Sequence, residues 1–211
     1  PHRDPMPSEN QTRLTKVSAF APHPLFLGDP AEEIALSPLA NSGIDRQLTD
    51  LPENETDLVI GLDFGTSATK VVVRDVYAAT GVFPVRLNEA RTGIESYLLP
   101  SRVFRTGETY SLDQGTHRIA DLKLGLLACE APSPVTEFND CCAFLALVIR
   151  RTRGWMFTRH QDIYRRQALN WRLNLGLAAR SYHDEHKVKL FRRLAWAAAN
   201  LAADPEAETI T

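Results

Sequence analysis

The residues best suited to chemistry stand together in one short polar turn. It contains Asp63, Gly65, Thr66 and Ser67, and Lys70 follows seven positions after the Asp. Backbone N–H groups at a turn of this kind, together with two hydroxyls, form a concavity that suits an anion, and a lysine adds positive charge. The turn therefore predicts a phosphate-binding site.

The elements that must position this turn are two apolar runs. The run Val59–Leu62 precedes it and the run Val71–Val73 follows it, so β-branched residues flank a glycine that tolerates φ > 0. This pattern predicts a β-hairpin with the polar residues at its tip. A Walker loop is disfavoured, because no Gly-x-x-x-x-Gly-Lys-Ser/Thr occurs and the glycine leads into a strand. The alternative is an ordinary hairpin with a glycine turn.

The string Asp-Phe-Gly-Thr-Ser from Asp63, followed by Lys70, resembles the first phosphate motif of the actin-like ATPase superfamily. That superfamily includes actin, the seventy-kilodalton heat-shock chaperones and the sugar kinases. The resemblance implies an ATP site with Mg²⁺, in which Asp63 acts in catalysis and organises the metal through water. Gly65, Thr66, Ser67 and Lys70 would contact the phosphates. It also implies an α/β fold, a ribonuclease-H-like lobe with a mixed five-stranded sheet and flanking helices.

Periodicity predicts the remaining elements. The expected strands are Phe83–Leu87, Tyr97–Arg105, Thr109–Leu112 and Leu169–Leu177. The expected helices are His117–Leu127, a long one capped by Asn139 and Asp140, and His183–Ala203.

Two downstream strings extend the resemblance to heat-shock ATPase domains over residues 58–203. They are Leu-Leu-Pro-Ser101, with the helix string Asp121-Leu-Lys that follows it, and the Gly-Leu-Ala that ends the strand Leu169–Leu177. In those chaperones a lysine near this helix assists hydrolysis. The region from Gln114 to Arg118 holds no lysine, so that role is not transferred to this chain.

Composition sets the class of protein. With 211 residues, 44% hydrophobic and 24% charged, and without an apolar run of the ~20 residues that a membrane span needs, a soluble globular protein is expected. Three cysteines without Cys-x-x-Cys spacing favour a reducing cytosol over a disulfide framework or a zinc site. Residues 1–56 predict an extended, Pro-rich arm with a short helix near Pro30–Leu36, which packs on the body or on a protein partner.

Residues 57–211 are expected to form the first ATPase lobe. No second phosphate hairpin and no adenosine-binding segment is recognised after residue 73, so we expect the second lobe to lie outside this chain. The start of the chain is expected to be trimmed, since it opens with Pro1.

Charge is unevenly distributed along the chain. Residues 1–57 carry four basic against ten acidic side chains, whereas residues 139–193 carry twelve basic against four acidic. The basic stretch, Arg150–Arg172, is expected to be a solvated or protein-contacting face. Nucleic acid is the less favoured partner, because stacking aromatics are not interleaved with the charges.

Two other groups of residues have types suited to chemistry. His183 and His186 share helical spacing suited to a metal, but a solvated helix start is favoured in the absence of a third ligand. Ser111, Asp113 and His117 offer the residue types of a hydrolase without a nucleophile elbow.

The sequence therefore predicts an ATP-binding, heat-shock-like ATPase within a larger protein or assembly. Hydrolysis is expected of the full-length protein and not of this chain alone. The alternatives are a degenerate, non-hydrolysing scaffold lobe and, less favoured, a sugar-kinase-like phosphotransferase.

Overall fold

The computed structural model describes residues 15–18, 33–36, 54–107, 109–128, 135–164, 167–177, 181 and 183–203. Within them the fold is α/β, as predicted, with helices beside mixed and antiparallel strands. The strands are β1 Thr15–Ser18, β2 Glu33–Leu36, β3 Asn54–Asp63, β4 Ala68–Asp75, β5 Val82–Pro84, β6 Leu99–Pro100, β7 Val103–Thr106, β8 Thr109–Ser111, β9 His117–Ile119 and β10 Gln167–Gly176. The helices are α1 Leu122–Ala128, α2 Val135–Arg159, α3 Gln161–Tyr164 and α4 Glu185–Ala203, and a 3-10 helix covers Gly93–Tyr97.

The mixed sheet has the strand order β10-β3-β4-β5. Strands β3, β4 and β5 pair antiparallel, and β10 pairs parallel to β3 with Trp171 opposite Leu58. A parallel neighbour needs a crossover connection, and α2 and α3 precede β10 in the chain. Leu58, Ile60 and Leu62 alternate along β3 and are buried, so one face of this sheet forms the core.

A second sheet has the order β1-β2-β8-β7-β9. The mixed sheet that contains the hairpin has five strands, as expected, because β6 pairs with β4. The expected later members are wrong, since β7 turns at Gly107, whose φ is +58°, and pairs with β8 and β9 in the second sheet rather than with the hairpin. The short β6 pairs only with the first residues of β4.

The N-terminal arm contributes two strands to that second sheet. Strand β2 pairs parallel with β8, so Glu33–Leu36 is not part of a helix as expected. Backbone pairing with an available edge replaces the local helical preference. Residues 30–32 of the expected helix lie outside the described residues.

Helix α2 is the centre of the fold. Every residue from Phe138 to Arg150 is buried, so this stretch is covered all round. The helix begins at Val135, and Asn139 and Asp140 lie inside it, which corrects their predicted role as caps. Asp140 instead accepts a hydrogen bond from the Tyr110 hydroxyl at 2.7 Å.

The C-terminal prediction is confirmed in its main parts. Strand β10 alternates half-buried apolar residues with exposed polar ones, and α4 follows it from Glu185. The expected helix from His117 is confirmed only in α1, because His117–Ile119 pairs with β7 as a strand. No described helix is both long and apolar enough to cross a membrane.

Candidate functional site

The polar turn lies at the tip of the β3–β4 hairpin. Strand β3 ends at Asp63 and β4 begins at Ala68, and Asp63 stands opposite Lys70 in the ladder. Strand β10 also ends here, with Gly176 opposite Asp63. The carboxyl ends of two parallel strands therefore meet at this edge of the sheet, which is where ligands bind in many open α/β sheets.

The predicted site residues are brought together and face solvent. The side chains of Asp63 and Lys70 are 64% and 57% exposed, and Lys70 Nζ lies 3.6 Å from Asp63 Oδ2. Thr66 and Ser67 are exposed, and Gly65 is half-buried. A weak, exposed ion pair of this kind leaves both charges available to a ligand.

Phe64 anchors the exposed tip to the core. Its side chain is fully buried, and its ring centroid lies 5.7 Å from that of Phe144 in α2. The tip thus rests on the buried centre of α2, while Thr66 and Ser67 are exposed to solvent. A rigid support under a polar loop favours a preformed site.

The sequence predicts a glycine in this turn because glycine tolerates φ > 0, but the structure requires Gly65 for a different reason. A Cβ at this position would lie 2.2 Å from the carbonyl oxygen of Ala68. The described glycines with φ > 0 are Gly93 and Gly107, so Gly65 is required by close backbone approach and not by a left-handed conformation. That approach closes the turn tightly.

Ser101 holds the tip from the buried side. Its hydroxyl lies 2.7 Å from the Gly65 carbonyl oxygen and 2.9 Å from Thr69 Oγ1. Its backbone N–H donates to the Ser67 carbonyl oxygen at 3.0 Å. In the sequence, the Pro-Ser string carries part of the resemblance but does not predict that Ser101 lies at the tip.

A second lysine reaches the hairpin and was missed by sequence reasoning. Lys123 in α1 donates from Nζ to the Phe64 carbonyl oxygen at 2.8 Å. The ammonium also lies 5.9 Å from the ring centroid of Phe64 and 5.7 Å from that of Phe191. The Asp-Leu-Lys string was the available signal, but only the fold brings α1 to the tip.

The basic stretch is solvated only in part, since the side chains of Arg159 and Arg172 are 54% and 68% exposed. Arg150 and Arg153 are buried in α2. Three further arginines form ion pairs with acidic side chains: Arg151 with Asp113, Arg159 with Glu89 and Arg172 with Asp57. The arginines of this stretch that the structure describes are therefore either buried or paired with an acidic side chain.

The other candidate groups have structural roles. The Asp113 carboxylate accepts from Arg151, and the Asp113 backbone N–H donates to Ser111 Oγ at 3.2 Å, so Asp113 is committed to an ion pair and a turn.

Burial raises the pKa of Cys142 to about 12 and that of Cys141 well above its ordinary value, so both thiols are protonated at neutral pH.

His183 and His186 lie at the start of a helix, as the sequence analysis favours. His183 precedes α4, and Asp184 Oδ1 accepts from the Lys187 backbone N–H at 3.1 Å. The pKa of Asp184 is lowered, first by its hydrogen bond with the Lys187 side chain. Among the described residues, no group of three or more His, Cys, Asp or Glu side chains could hold a metal ion.

Comparison with known proteins adds no relative. No protein-family model, no curated protein and no solved structure matches this chain.

Proposed function

We propose that this chain is the phosphate-binding lobe of a heat-shock-like ATPase of the actin-like superfamily, with a ribonuclease-H-like fold. The observation that carries the proposal is the hairpin tip. It presents Asp63, Thr66, Ser67 and Lys70 to solvent beside the end of β10. Free, buried Cys141 and Cys142 fit a reducing cytosol as its compartment.

The chemistry of the tip suits a polyphosphate. Two hydroxyls and the backbone N–H groups of the turn can donate to phosphate oxygens, and Lys70 supplies charge. Lys123 lies behind the tip and donates one of its three N–H groups to the Phe64 carbonyl oxygen. The site therefore combines an exposed cation, Lys70, with a second one, Lys123, that lies near two aromatic rings.

The residues present also fit Mg²⁺. Magnesium in phosphate sites is held by one or two carboxylates together with substrate phosphates and water, so a single exposed carboxylate at Asp63 meets the requirement. The bound ion would neutralise charge on the phosphate oxygens. Asp63 would hold its water ligands, and Lys70 would turn from Asp63 to phosphate.

A binding titration tests the proposal. Isothermal titration calorimetry with Mg-ATP on the full chain should show binding that falls about tenfold in Lys70→Ala and in Asp63→Ala, since charge-assisted hydrogen bonds contribute about 1.5–3 kcal/mol each. Lys123→Met should also lower the affinity.

The matched control is Lys187→Ala, which breaks an exposed Lys–Asp pair in α4, where Lys187 Nζ lies 2.9 Å from Asp184 Oδ2. We expect this variant to bind Mg-ATP as the parent does. Equal affinity of the parent, Lys70→Ala and Asp63→Ala would contradict the site assignment, and absence of Mg-ATP binding by the parent would leave the scaffold interpretation.

A further inference from the structure

The hairpin tip has a buried support whose geometry points to a positioning role. Ser101 is 4% exposed and Thr69 is 0% exposed. Both lie under the tip, Thr69 in β4 and Ser101 directly after β6, which pairs with β4. Neither side chain can reach solvent, so neither is a direct ligand. Their hydroxyls act on the backbone of the tip.

The direction of the hydrogen bonds follows from counting protons. A serine hydroxyl has one proton, and Ser101 donates it to the Gly65 carbonyl at 2.7 Å. The 2.9 Å contact between the two hydroxyls must then be donated by Thr69. Thr69, Ser101 and Gly65 thus form a relay of hydrogen bonds, in which each bond polarises the next.

This relay decides where the N–H groups of the tip point. In a planar trans peptide, the C=O of one residue and the N–H of the next point in opposite directions. The Gly65 carbonyl is held by the Ser101 hydroxyl, and the Ser67 carbonyl is held by the Ser101 backbone N–H at 3.0 Å. The N–H groups of Thr66 and Ala68 therefore point away from Ser101 and the buried side.

We propose that Ser101, supported by Thr69, is the positioning residue of the phosphate site, because it turns two carbonyls inward and so directs the Thr66 and Ala68 N–H groups at the bound phosphate. This rests on the proposed function. Donors that are already oriented cost little to reorganise when an anion arrives. Without the relay, carbonyl oxygens of the tip could turn outward and repel the anion.

The molecule offers a matched control for Ser101. Ser96 is 1% exposed, and its hydroxyl also donates to a glycine carbonyl, that of Gly93, at 2.7 Å. Ser96→Ala therefore removes a similar buried hydrogen bond from the 3-10 helix Gly93–Tyr97, which does not belong to the tip. A loss of stability that is common to both serine variants can thus be separated from a loss of phosphate binding at the tip.

The test uses four variants of the full chain: Ser101→Ala, Thr69→Val, Thr69→Ser and Ser96→Ala. Amide ¹⁵N relaxation of residues 65–68 reports the order of the tip, and calorimetry with Mg-pyrophosphate reports binding. We expect Ser101→Ala and Thr69→Val to lower the tip order parameters and to weaken pyrophosphate binding about fivefold to tenfold. Thr69→Ser keeps the hydroxyl and should match the parent, as should Ser96→Ala at the tip.

The two readouts separate this inference from the proposed function. If the parent binds neither Mg-ATP nor Mg-pyrophosphate, the proposed function fails and the positioning role for phosphate fails with it. If the parent binds but Ser101→Ala leaves the tip order parameters and the affinity unchanged, only the positioning role is overturned. An equal loss of affinity in Ser96→Ala would also overturn it, because the effect would then be one of general stability.

Discussion

The hairpin tip and helix α2 both hold polar residues that the sequence singles out, and the fold places them in opposite environments. At the tip, Asp63 and Lys70 stay more than half exposed on a backbone that is fixed from below. In α2, Arg150 and Arg153 are buried and Arg151 pairs with Asp113. Polar side chains can recruit a ligand only when they are not already satisfied or enclosed. The comparison favours the tip over α2 as the candidate site, because its polar groups are exposed on a supported backbone whereas those of α2 are enclosed or paired.

The largest effect on stability and binding is expected from a substitution that prevents the turn at Gly65 from closing. Gly65→Ala places a Cβ 2.2 Å from the Ala68 carbonyl oxygen, so the backbone must shift. We expect a loss of about 1–3 kcal/mol in the free energy of unfolding and a loss of Mg-ATP affinity. Denaturant unfolding and calorimetry measure the two effects.

Gly61→Ala in the same hairpin is the control for this prediction. Its Cβ would lie at an ordinary 3.6 Å from the Val72 carbonyl oxygen, so stability should remain within about 1 kcal/mol of the parent. Similar behaviour of the two alanine variants would show that close approach does not determine the glycine at Gly65.

The next largest effect is expected at a buried hydrogen bond to helix α2. Tyr110→Phe removes the hydroxyl that donates to Asp140 at 2.7 Å and leaves a carboxylate that is 6% exposed with one partner fewer. We expect about 1–3 kcal/mol of destabilisation, measured by denaturant unfolding, without a change in Mg-ATP affinity. Burial and the bond to Asp140 raise the pKa of Tyr110, so the hydroxyl stays protonated and donates at neutral pH. Loss of nucleotide affinity with stability intact would link α2 to the site and break the contrast.

A pH effect is expected at the C-terminal end of α2. Burial lowers the pKa of His160, and Asp162 opposes this only in part. The ring centroid of His160 lies 4.4 Å from that of Phe83 and 5.3 Å from that of Trp155. Because the unfolded chain takes up the proton more readily, the stabilisation is complete above the unfolded pKa of about 6.5 and is lost as pH falls through the lower folded value.

His160→Phe keeps an aromatic ring and should reduce the loss of stability between pH 7.5 and pH 5, measured by denaturant unfolding at each pH. His117→Asn in the exposed part of β9 is the control and should keep the parent's pH dependence. An unchanged pH dependence in His160→Phe would show that another group causes it.

The smallest effects are expected at the surface ion pairs. Reversing Arg159 and Arg172 to Glu removes the pairs with Glu89 and Asp57, whose N–O distances are 2.8 Å and 2.9 Å. The two arginine side chains are more than half exposed, and pairs at the surface contribute about 0–1 kcal/mol each, so the fold should persist. We expect the parent not to bind single- or double-stranded nucleic acid. Micromolar, salt-sensitive binding that this double variant abolishes would show that paired arginines can still recruit phosphates.

The sequence by itself determined the elements whose pattern is local. The β3–β4 hairpin, the alternating strand β10 and helix α4 are confirmed because hydrophobic alternation and helical periodicity are properties of neighbouring residues. The grouping of Asp63, Thr66, Ser67 and Lys70 at one tip was predictable for the same reason. The phosphate role given to that group stays a prediction.

Only the tertiary structure decided which distant residues meet. Strand pairing made strands of Glu33–Leu36 and His117–Ile119, and burial placed Asn139 and Asp140 inside α2 instead of at its start. Ser101 and Lys123 reach the tip from 36 and 59 residues away along the chain, through hydrogen bonds to backbone carbonyls. Carbonyl oxygens belong to every residue, so no pattern of side chains marks which of them a distant serine or lysine will bind.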